Sequence, residues 1–459
     1  MEHGGTRTGP VGGGVVIVGA GPCGLACARE LDRLGRRTVV LEATATAGGL
    51  AGSTVDPQGF TWDRGGHVVF SHYGEFDRLL DDTLGTDVEH HERSSFVSVA
   101  GRWVPYPFQN NLHHLPDELC RSALIDLIDA QHRPSAEPAT DFATWMERQF
   151  GATICELFMR PYNTKVWATD PARMSSAWIA ERVPTLDWRR ALANALTRTD
   201  DLAWGPNNKF AFPARGGTGE IYRRLAGQLG PVVRYTAPVV AVDATARELT
   251  VAGGGTVAFE QLVWTGALDE LVAMLVDVPA HVRAAAAALV HNSVTVVGVG
   301  YGTALTDDRS WLYFPDPEVP FYRATNFAKY AAANVPDGRT DRYSSWMTEI
   351  ASSPERPLDA RGLSERVDHA LRELGLVPPG APLISVHMDR IERAYPIPTL
   401  GRDAALALIQ PWLAERGILA RGRFGAWRYE LGNMDHAVKM GIDAARTLVS
   451  GAAEEAWSA

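Results

Sequence analysis

The clearest hydrophobic pattern in the chain surrounds a short cluster of glycines near residue 20. Four β-favouring residues, Val15 to Val18, precede the cluster, and an apolar face of helical period follows it. A second apolar run, Thr38 to Leu41, then ends on an acid, Glu42. The pattern predicts a strand, a helix and a second strand, which together form a βαβ unit. The glycines have the spacing G-x-G-x-x-G at Gly19, Gly21 and Gly24.

Each residue of this unit suits the binding of a dinucleotide cofactor. Gly19 permits a tight turn, Gly21 allows the backbone to approach a pyrophosphate, and Gly24 allows the helix to pack closely on the strand. The free N–H groups at the helix N-terminus favour phosphate, and Glu42 is placed to accept ribose hydroxyls. A second pair, Gly48-Gly49, favours FAD over NAD, although a surface turn would have the same composition.

Further apolar runs predict more strands and helices along the chain. Between residues 116 and 204 the apolar residues recur with the period of an α-helix. One helix in this region is predicted to begin after Asp141, a candidate N-cap, and to stop at Gly151. Thr218 is a candidate cap for a helix that reaches Leu229. Short strands are predicted from 232 to 264, the last of them, 262–264, returning to the first sheet. Later strands are predicted at 294–301, 311–314, 321–325, 344–350 and 383–389, and a final helix at 435–449.

Composition narrows the function classes. The chain has 459 residues, 46% of them hydrophobic, and a net charge of −10, which argues against nucleic acid and anionic membranes as partners. No apolar run is long enough to span a bilayer, and no secretory signal pattern is seen, so we expect a cytoplasmic protein. An anionic ligand would need a local basic pocket. The cysteines lack metal-ligand spacing, and Cys23 and Cys27 fit packing better than a redox pair.

Two segments combine features that suit a flat ligand. Asp63-Arg64-Gly65-Gly66-His67 places a histidine after two glycines, which suits either a ring lying on the backbone or an ordinary core histidine. The segment 102–111, RWVPYPFQNN, interleaves rigid aromatics with amides, as either a heterocycle site or a buried corner would. Two pairs of adjacent histidines occur, at 90–91 and 113–114. Neither pair has the spacing to Cys, His or Asp residues that is typical of a metal site, so no metal is predicted.

Several longer segments, taken in order, resemble the UDP-galactopyranose mutase family in the form typical of eukaryotes. They are GGHVVFSHY (65–73), RWVPYPFQNN (102–111), LFMRPYNTKVWA (157–168), FPARGGTG (212–219), WLYFP (311–315), FYRAT (321–325), YPIPTL (395–400) and GRFGAWRYELGN (422–433). The resemblance extends over almost the whole chain, from about Val15 to about Gly451. The segments are long and rich in aromatics, so chance similarity is not a serious explanation.

The resemblance implies an α/β fold with FAD on a Rossmann-type domain made of residues 1–112, 210–290 and 400–459. It also implies an inserted helical substrate-binding domain, 113–209, and an antiparallel six-stranded sheet domain. That last domain is 291–399, with strands shared from 60–110 and 205–215. The active site would be the cleft where the three domains meet.

The resemblance also assigns residues to the site. For the cofactor it implies Gly19, Gly21, Gly24, Glu42, Gly48, Gly49, Leu50, Gly66, His67, Arg423, Gly432, Asn433 and Met434. For the substrate it implies Arg93, Tyr106, Gln109, Phe158, Tyr162, Asn163, Trp167, Arg182, Asn207, Trp311, Tyr313, Arg323, Tyr395 and Tyr429. Gly66, His67, Arg182 and Arg323 form the catalytic set, with His67 orienting the flavin.

The two arginines also fit a pyrophosphate on their own chemistry. Arg182 and Arg323 lie in distant segments, and their planar guanidiniums can grip phosphates bidentately. Either arginine alone could equally form a surface ion pair. Three residues depart from the family pattern: Met434 and Ala437 replace an amide and a hydroxyl near the flavin, and Lys329 replaces an uncharged residue.

The activity implied is that of an isomerase: UDP-galactopyranose becomes UDP-galactofuranose through an adduct between the sugar and N5 of reduced FAD, with no net redox. NADPH or NADH would be the reductant, and a UDP-sugar the partner; a homo-oligomer is compatible with the sequence. Three alternatives stay open: the same chemistry on a different nucleotide sugar in specialised metabolism, an FAD-dependent oxidase, and non-catalytic nucleotide-sugar binding.

Overall fold

The computed structural model describes residues 14–133, 137–179, 187–202, 209–304 and 306–458. Its strands are β1 (Val15–Val18), β2 (Thr38–Leu41), β3 (Ser53–Val55), β4 (Thr61–Asp63), β5 (Val88–Glu92), β6 (Ser95–Val99), β7 (Arg102–Pro105), β8 (Lys209–Pro213), β9 (Val233–Arg234), β10 (Val239–Asp243), β11 (Glu248–Val251), β12 (Gly255–Ala258), β13 (Gln261–Trp264), β14 (His291–Tyr301), β15 (Trp311–Tyr313), β16 (Arg323–Asn326), β17 (Ser344–Ser352), β18 (Leu383–Pro396) and β19 (Ile418–Ala420).

The α-helices lie between and after these strands. They are α1 (Pro22–Arg33), α2 (Gly74–Leu84), α3 (Asp117–His132), α4 (Phe142–Ile154), α5 (Arg160–Trp167), α6 (Trp188–Thr197), α7 (Gly219–Leu229), α8 (Leu268–Met274), α9 (Ala280–Ala287), α10 (Leu363–Glu373), α11 (Arg402–Ala414), α12 (Gly422–Ala426), α13 (Met434–Ser450) and α14 (Glu455–Ser458). Within the described ranges, none of them combines the length and apolar composition needed to cross a bilayer.

A five-stranded parallel sheet has the order β19-β13-β1-β2-β9. Its central strand β1 is buried at every position, because helices cover both faces of the sheet. Val15 and Ile17 pack in one core with α1, α7 and α13, whereas Val16 and Val18 pack in another with α8, α9 and α11. The predicted βαβ unit and the return of the strand at 262–264 to this sheet are both confirmed.

A second, larger sheet has seven strands in the order β18-β14-β17-β16-β15-β6-β7. The expectation of six antiparallel strands is therefore corrected: the sheet has seven strands, two of which, β6 and β7, come from residues 95–105, and β15 runs parallel to β6. The expected contribution of 205–215 is also different, since β8 pairs with β5 in a separate ribbon. β18 extends beyond its predicted end because its whole length pairs with β14. The predicted division into three domains stays a prediction.

Two predicted helix signals act differently in the structure. Asp141 caps α4 as predicted, accepting from the amide of Thr144 at 2.8 Å. Gly151, however, is a kink with φ 75° and ψ 172° rather than a stop, and a Cβ there would lie 2.5 Å from the backbone of Asp126 in α3. Thr218 precedes α7 without capping it, because its hydroxyl donates instead to the buried carboxylate of Asp63 at 2.9 Å.

The crossing of α1 and α13 supplies a test of this packing. A Cβ at Gly441 would lie 2.1 Å from the carbonyl oxygen of Cys23, so we expect Gly441→Ala to lower the free energy of unfolding by about 1–3 kcal/mol through overpacking. The control is Gly227→Ala at an exposed position of α7, where nothing lies within 4 Å and helix propensity should add about 0.5–1 kcal/mol. Denaturant unfolding followed by circular dichroism compares the two, and equal shifts would contradict the packing argument.

Candidate active site

Two continuous cavities lie where the parallel sheet, the helices and the seven-stranded sheet meet. The fingerprint cleft, of about 530 Å³, begins at the glycine turn after β1. The aromatic cavity, of about 640 Å³, lies between α5 and the seven-stranded sheet. Both are lined by Leu50, Arg64, His67, Ile391, Arg423, Gly432, Asn433 and Met434. These shared residues make one site with two compartments.

The fingerprint cleft contains most of the predicted cofactor residues. Its lining includes Gly19, Gly21, Glu42, Gly49 and Leu50. The carboxylate of Glu42 is held at the end of β2 by the amide of Ala20 at 2.7 Å and by Thr44. A Cβ at Gly21 would lie 3.9 Å from the Cα of Gly49, so the two glycine segments leave a narrow slot beside the N-terminus of α1. Such a slot fits a pyrophosphate.

Two predicted cofactor residues, Gly24 and Gly48, line neither cavity. Gly24 packs α1 against the turn, where an added Cβ would lie 2.0 Å from the carbonyl oxygen of Gly19. Gly48 takes φ 120°, and its amide donates to the carbonyl of Ala20 at 2.9 Å. Both glycines therefore shape the slot through the backbone rather than by facing it.

The residues Gly66 and His67 lie at the junction of the two compartments. The amide of Gly66 donates to Oε1 of Glu349 at 2.9 Å, and a Cβ there would approach the same atom to 3.0 Å. Nδ1 of His67 is buried and has no hydrogen-bond partner among the described residues. Burial, reinforced by the charges of Arg423 and Arg323, lowers the pKa of His67 to about 3. The imidazole is therefore neutral at pH 7, and its free Nδ1 fits a partner supplied by a bound cofactor.

Aromatic side chains form most of the wall of the second compartment. Tyr106 and Tyr313 lie 4.8 Å apart by ring centroids, and Phe158 and Tyr162 lie 5.1 Å apart. The other predicted residues in this lining are Asn163, Trp167, Trp311, Tyr395 and Tyr429. Flat surfaces beside an amide suit a nucleobase. The interpretation of 102–111 as part of a ligand wall thus gains support from the position of Tyr106.

Arg323 is the most tightly held charged group of the aromatic cavity. Its Nε and Nη2 donate to the two oxygens of Glu349 at 2.7 and 2.5 Å, and its guanidinium lies 4.5 Å from the ring centre of Trp311. Arg93 approaches the same ring to 4.7 Å and lines the cavity together with Arg423. Nη1 of Arg323 makes no hydrogen bond to any described residue.

Glu349 was not among the predicted site residues, although it lines the aromatic cavity. Burial opposes the ionisation of this carboxyl, yet the charge and hydrogen bonds of Arg323, with those of Tyr322 and Gly66, lower its pKa below the usual value. The available signal was the single charged residue within the predicted strand 344–350, since an acid that is buried in a strand needs a partner.

The remaining predicted residues are placed differently. Gln109 is 1% exposed and does not line either cavity. Arg182 and Asn207 lie outside the described residues. Lys165, on α5, donates from Nζ to the carbonyls of Asp316, Val319 and Phe321 at 2.7–2.8 Å. It thereby anchors the loop that leads into β16 and Arg323.

Of the three departures from the family pattern, two line a compartment of the site and one does not. Met434 lines both compartments, and Ala437 lines the fingerprint cleft. Lys329 lines neither compartment, and its Nζ bonds to the carbonyl of Asp308.

Comparisons with known proteins agree with the two-compartment geometry. Residues 22–449 match the family described as flavin containing amine oxidoreductase. A crystal structure of reduced UDP-galactopyranose mutase is 39% identical, covers 98% of this chain and 96% of its own, and superimposes with a TM-score of 0.94. A putative protoporphyrinogen oxidase from Exiguobacterium sp. 255-15, 16% identical over 96% of this chain and 99% of its own, has a TM-score of 0.72 and shares the fold alone.

Curated relatives match over shorter stretches. The amine oxidase [flavin-containing] B of Cavia porcellus is 26% identical over 260 residues, which are 52% of this chain and 46% of that protein. The lysine-specific histone demethylase 2 of Homo sapiens is 35% identical over 89 residues, 19% of this chain and 11% of that protein. The chain thus spans less than half the length of these curated relatives.

The neutral state of His67 predicts a pH dependence of stability. The pKa of His67 in the folded protein is about 3, below the ordinary value of 6.5. The contribution of neutral His67 to the stability of the fold is therefore complete above pH 6.5 and is lost as the pH falls towards 3. Between pH 7 and 5 the apoprotein should lose about 2 kcal/mol through this group, and His67→Gln should remove that part of the loss. Denaturant unfolding at both pH values measures the effect. The control is His281→Gln, at an exposed position of α9. A wild-type dependence of stability on pH in His67→Gln would refute the assignment of this loss to His67.

Proposed function

Because the chain belongs to the flavin containing amine oxidoreductase family, and within it to the UDP-galactopyranose mutases, we propose that it is a flavin-dependent isomerase. It converts UDP-galactopyranose to UDP-galactofuranose with no net redox. The observation that carries the proposal is the union of the fingerprint cleft with an aromatic cavity that is lined by partly buried arginines. A cytoplasmic location and the three-domain division are parts of the same proposal.

A flavin cofactor follows from the family, and its form in this proposal is FAD. The slot at Gly21, the carboxylate of Glu42 and the cleft running on to His67 fit a dinucleotide that extends from the parallel sheet to the junction. Gly66, His67, Arg423, Asn433 and Met434 would surround its ring. The physiological reductant in this proposal is NADPH or NADH.

The aromatic cavity is assigned to the UDP-sugar. Tyr106, Phe158, Tyr162, Asn163 and Trp167 would hold the uridine, and Arg323 would contact the pyrophosphate. Glu349 orients the guanidinium by binding its Nε and Nη2, which leaves Nη1 for a phosphate oxygen. The predicted partner Arg182 and the predicted sugar contact Asn207 complete the set as proposals.

The chemistry that reduced flavin supplies when bound is a nucleophilic N5 for the anomeric carbon of the sugar, so the protein needs no nucleophile of its own. The residues of the chain would bind and orient the cofactor and the substrate. Burial raises the pKa of the Tyr106, Tyr162 and Tyr313 hydroxyls, which keeps them protonated and able to donate hydrogen bonds to the substrate. His67, neutral at pH 7, supports the cofactor without adding charge. The arginines stabilise the departing UDP.

A second candidate is the same chemistry on a different nucleotide sugar. Met434 favours it, because this apolar side chain lines both compartments where the family pattern has an amide. A changed contact at the junction would alter which sugar is accepted or how the flavin is reduced.

A redox experiment tests the mutase proposal. The oxidised protein should bind UDP-galactopyranose without converting it, and anaerobic dithionite should start conversion with many turnovers per reducing equivalent, because electrons are not consumed. Chromatography of the products measures this, with a panel of UDP- and GDP-hexoses run in parallel. An oxidase would instead be active when oxidised and would consume oxygen steadily. Undiminished conversion by the oxidised protein would refute the mechanism, whereas conversion of another nucleotide sugar only would replace the substrate.

The role of Arg323 has its own test. Arg323→Ala should lower kcat/KM by about 2–5 kcal/mol of transition-state stabilisation at unchanged flavin content, and Arg323→Lys should recover only part, because the bidentate fork is lost. Arg390→Ala, an exposed arginine on β18 paired with Glu392, is the matched control.

The variant Arg323→Ala also leaves Glu349 buried without its partner. A fall in its activity could therefore come from this unpaired charge, and a second variant is needed to separate the two causes. The double variant Arg323→Ala/Glu349→Gln removes that stranded charge. If Arg323 contacts substrate, turnover stays low in the double variant. Recovery to wild-type turnover would assign Arg323 to folding alone.

A further inference from the structure

A cluster of two histidines and one aspartate lies outside both compartments of the site. His113 and His114 end the short turn before α3, and Asp200 follows α6. Nε2 of His113 lies 3.0 Å and Nε2 of His114 lies 2.6 Å from the same atom, Oδ1 of Asp200. The two imidazole rings are 4.3 Å apart by their centroids. Three potential metal-ligating atoms therefore converge on one point.

We propose that His113, His114 and Asp200 bind a divalent transition-metal ion of the zinc class. Two imidazole nitrogens and one carboxylate oxygen are a common protein contribution to a zinc site, in which water takes the fourth position. Ligand atoms around a tetrahedral zinc are about 3.3 Å apart, as follows from bond lengths near 2.0–2.1 Å. The carboxylate oxygen has to withdraw by about 0.3 Å from Nε2 of His113 and by about 0.7 Å from Nε2 of His114. The side chain of Asp200 is 46% exposed, which leaves room for this shift.

The backbone of the cluster favours binding. The adjacent residue Asp201 is fixed by Asn111, which accepts from its amide at 2.8 Å and donates to its carbonyl at 3.0 Å. The two segments that carry the ligands are thus already held together.

A second cluster in the described part of the chain, His72, Asp435 and His436, also brings ligand atoms close, but its carboxylate is already saturated. Asp435, with a side chain 1% exposed, pairs with Nδ1 of both histidines at 2.7 and 3.1 Å. It also accepts from both of their backbone amides. Coordination by Asp435 would break these bonds, so the cluster at Asp200 is the better site.

The bound ion would connect the turn before α3 to the segment after α6. None of its three ligands lines the fingerprint cleft or the aromatic cavity, so the ion would stabilise the helical region without entering the chemistry. Nδ1 of His113 is buried and has no acceptor among the described residues. Outer-shell partners contribute about 10–100-fold in metal affinity, so we expect binding weaker than that of a structural zinc centre.

The test uses the tag-free, flavin-loaded protein after treatment with a chelator. Calorimetric titration with Zn²⁺ should show a site of one ion per chain, and Zn²⁺ should raise the thermal midpoint. Asp200→Asn and His113→Gln should each weaken binding at least tenfold and abolish the thermal shift. Both variants should keep the flavin content and the metal-free midpoint, and His114→Gln serves in place of any variant that does not.

The controls distinguish this site from other histidines. His90→Gln changes an exposed histidine of the other sequence pair and should bind Zn²⁺ as the wild type does. Three results would overturn the proposal: no binding by the wild type up to millimolar Zn²⁺, an equal loss in the His90 variant, or a loss in His72→Gln with retention in Asp200→Asn.

Discussion

The carboxylate of Glu349 is the group on which the geometry of the candidate site depends. It is 1% exposed and lies directly opposite Arg323 in the register of β16 and β17. Removing one partner from a buried ion pair typically costs about 3–5 kcal/mol, because the remaining charge is uncompensated. Glu349 therefore requires Arg323, the hydroxyl of Tyr322 and the amide of Gly66 to reach it together. Strand pairing in the seven-stranded sheet thus decides which arginine lines the aromatic cavity.

The same carboxylate links the two compartments. Gly66 belongs to the loop that continues to His67, a residue of both linings, and the start of that loop is fixed by the buried Asp63, which accepts from Thr218 and Ser53. A shift of this loop would alter the hydrogen bond at Glu349 and with it the orientation of Arg323. The fingerprint cleft and the charged wall of the aromatic cavity are therefore coupled through one carboxylate.

Local patterns in the sequence predicted local structure well. The βαβ unit, the cap at Asp141 and the long buried strand β14 each depend on residues near one another in the chain, so periodicity and turn chemistry sufficed. Gly151 and Thr218 behaved differently because distant segments, α3 and the strand carrying Asp63, determine their conformation and hydrogen bonds. No local rule contains those contacts.

The same contrast between local patterns and contacts with distant segments holds for the candidate site. Aromatic and arginine residues inside long recognisable segments were placed in the lining, whereas Gln109 was not, because a proline-rich loop has no period from which to tell inward from outward positions. Glu349 was missed since its significance depends on Arg323, which is 26 residues away along the chain. Buried ion pairs of this kind connect residues whose types are ordinary when each is considered alone.

Charge balance in the aromatic cavity limits how an acidic protein, with a net charge of −10, can bind a pyrophosphate. Arg93 and Arg323 both approach the ring of Trp311, where the negative face of the indole favours cations, but Glu349 offsets one of the two charges. The pair and the acid leave a charge of 2 − 1 = +1, whereas a bound pyrophosphate brings about two negative charges. A third arginine is needed to neutralise it. Arg423 lies at the junction, donating to the carbonyls of Gly432 and Ala394, and Arg182 is the predicted alternative. For the proposed UDP-sugar, one arginine would therefore not neutralise the pyrophosphate.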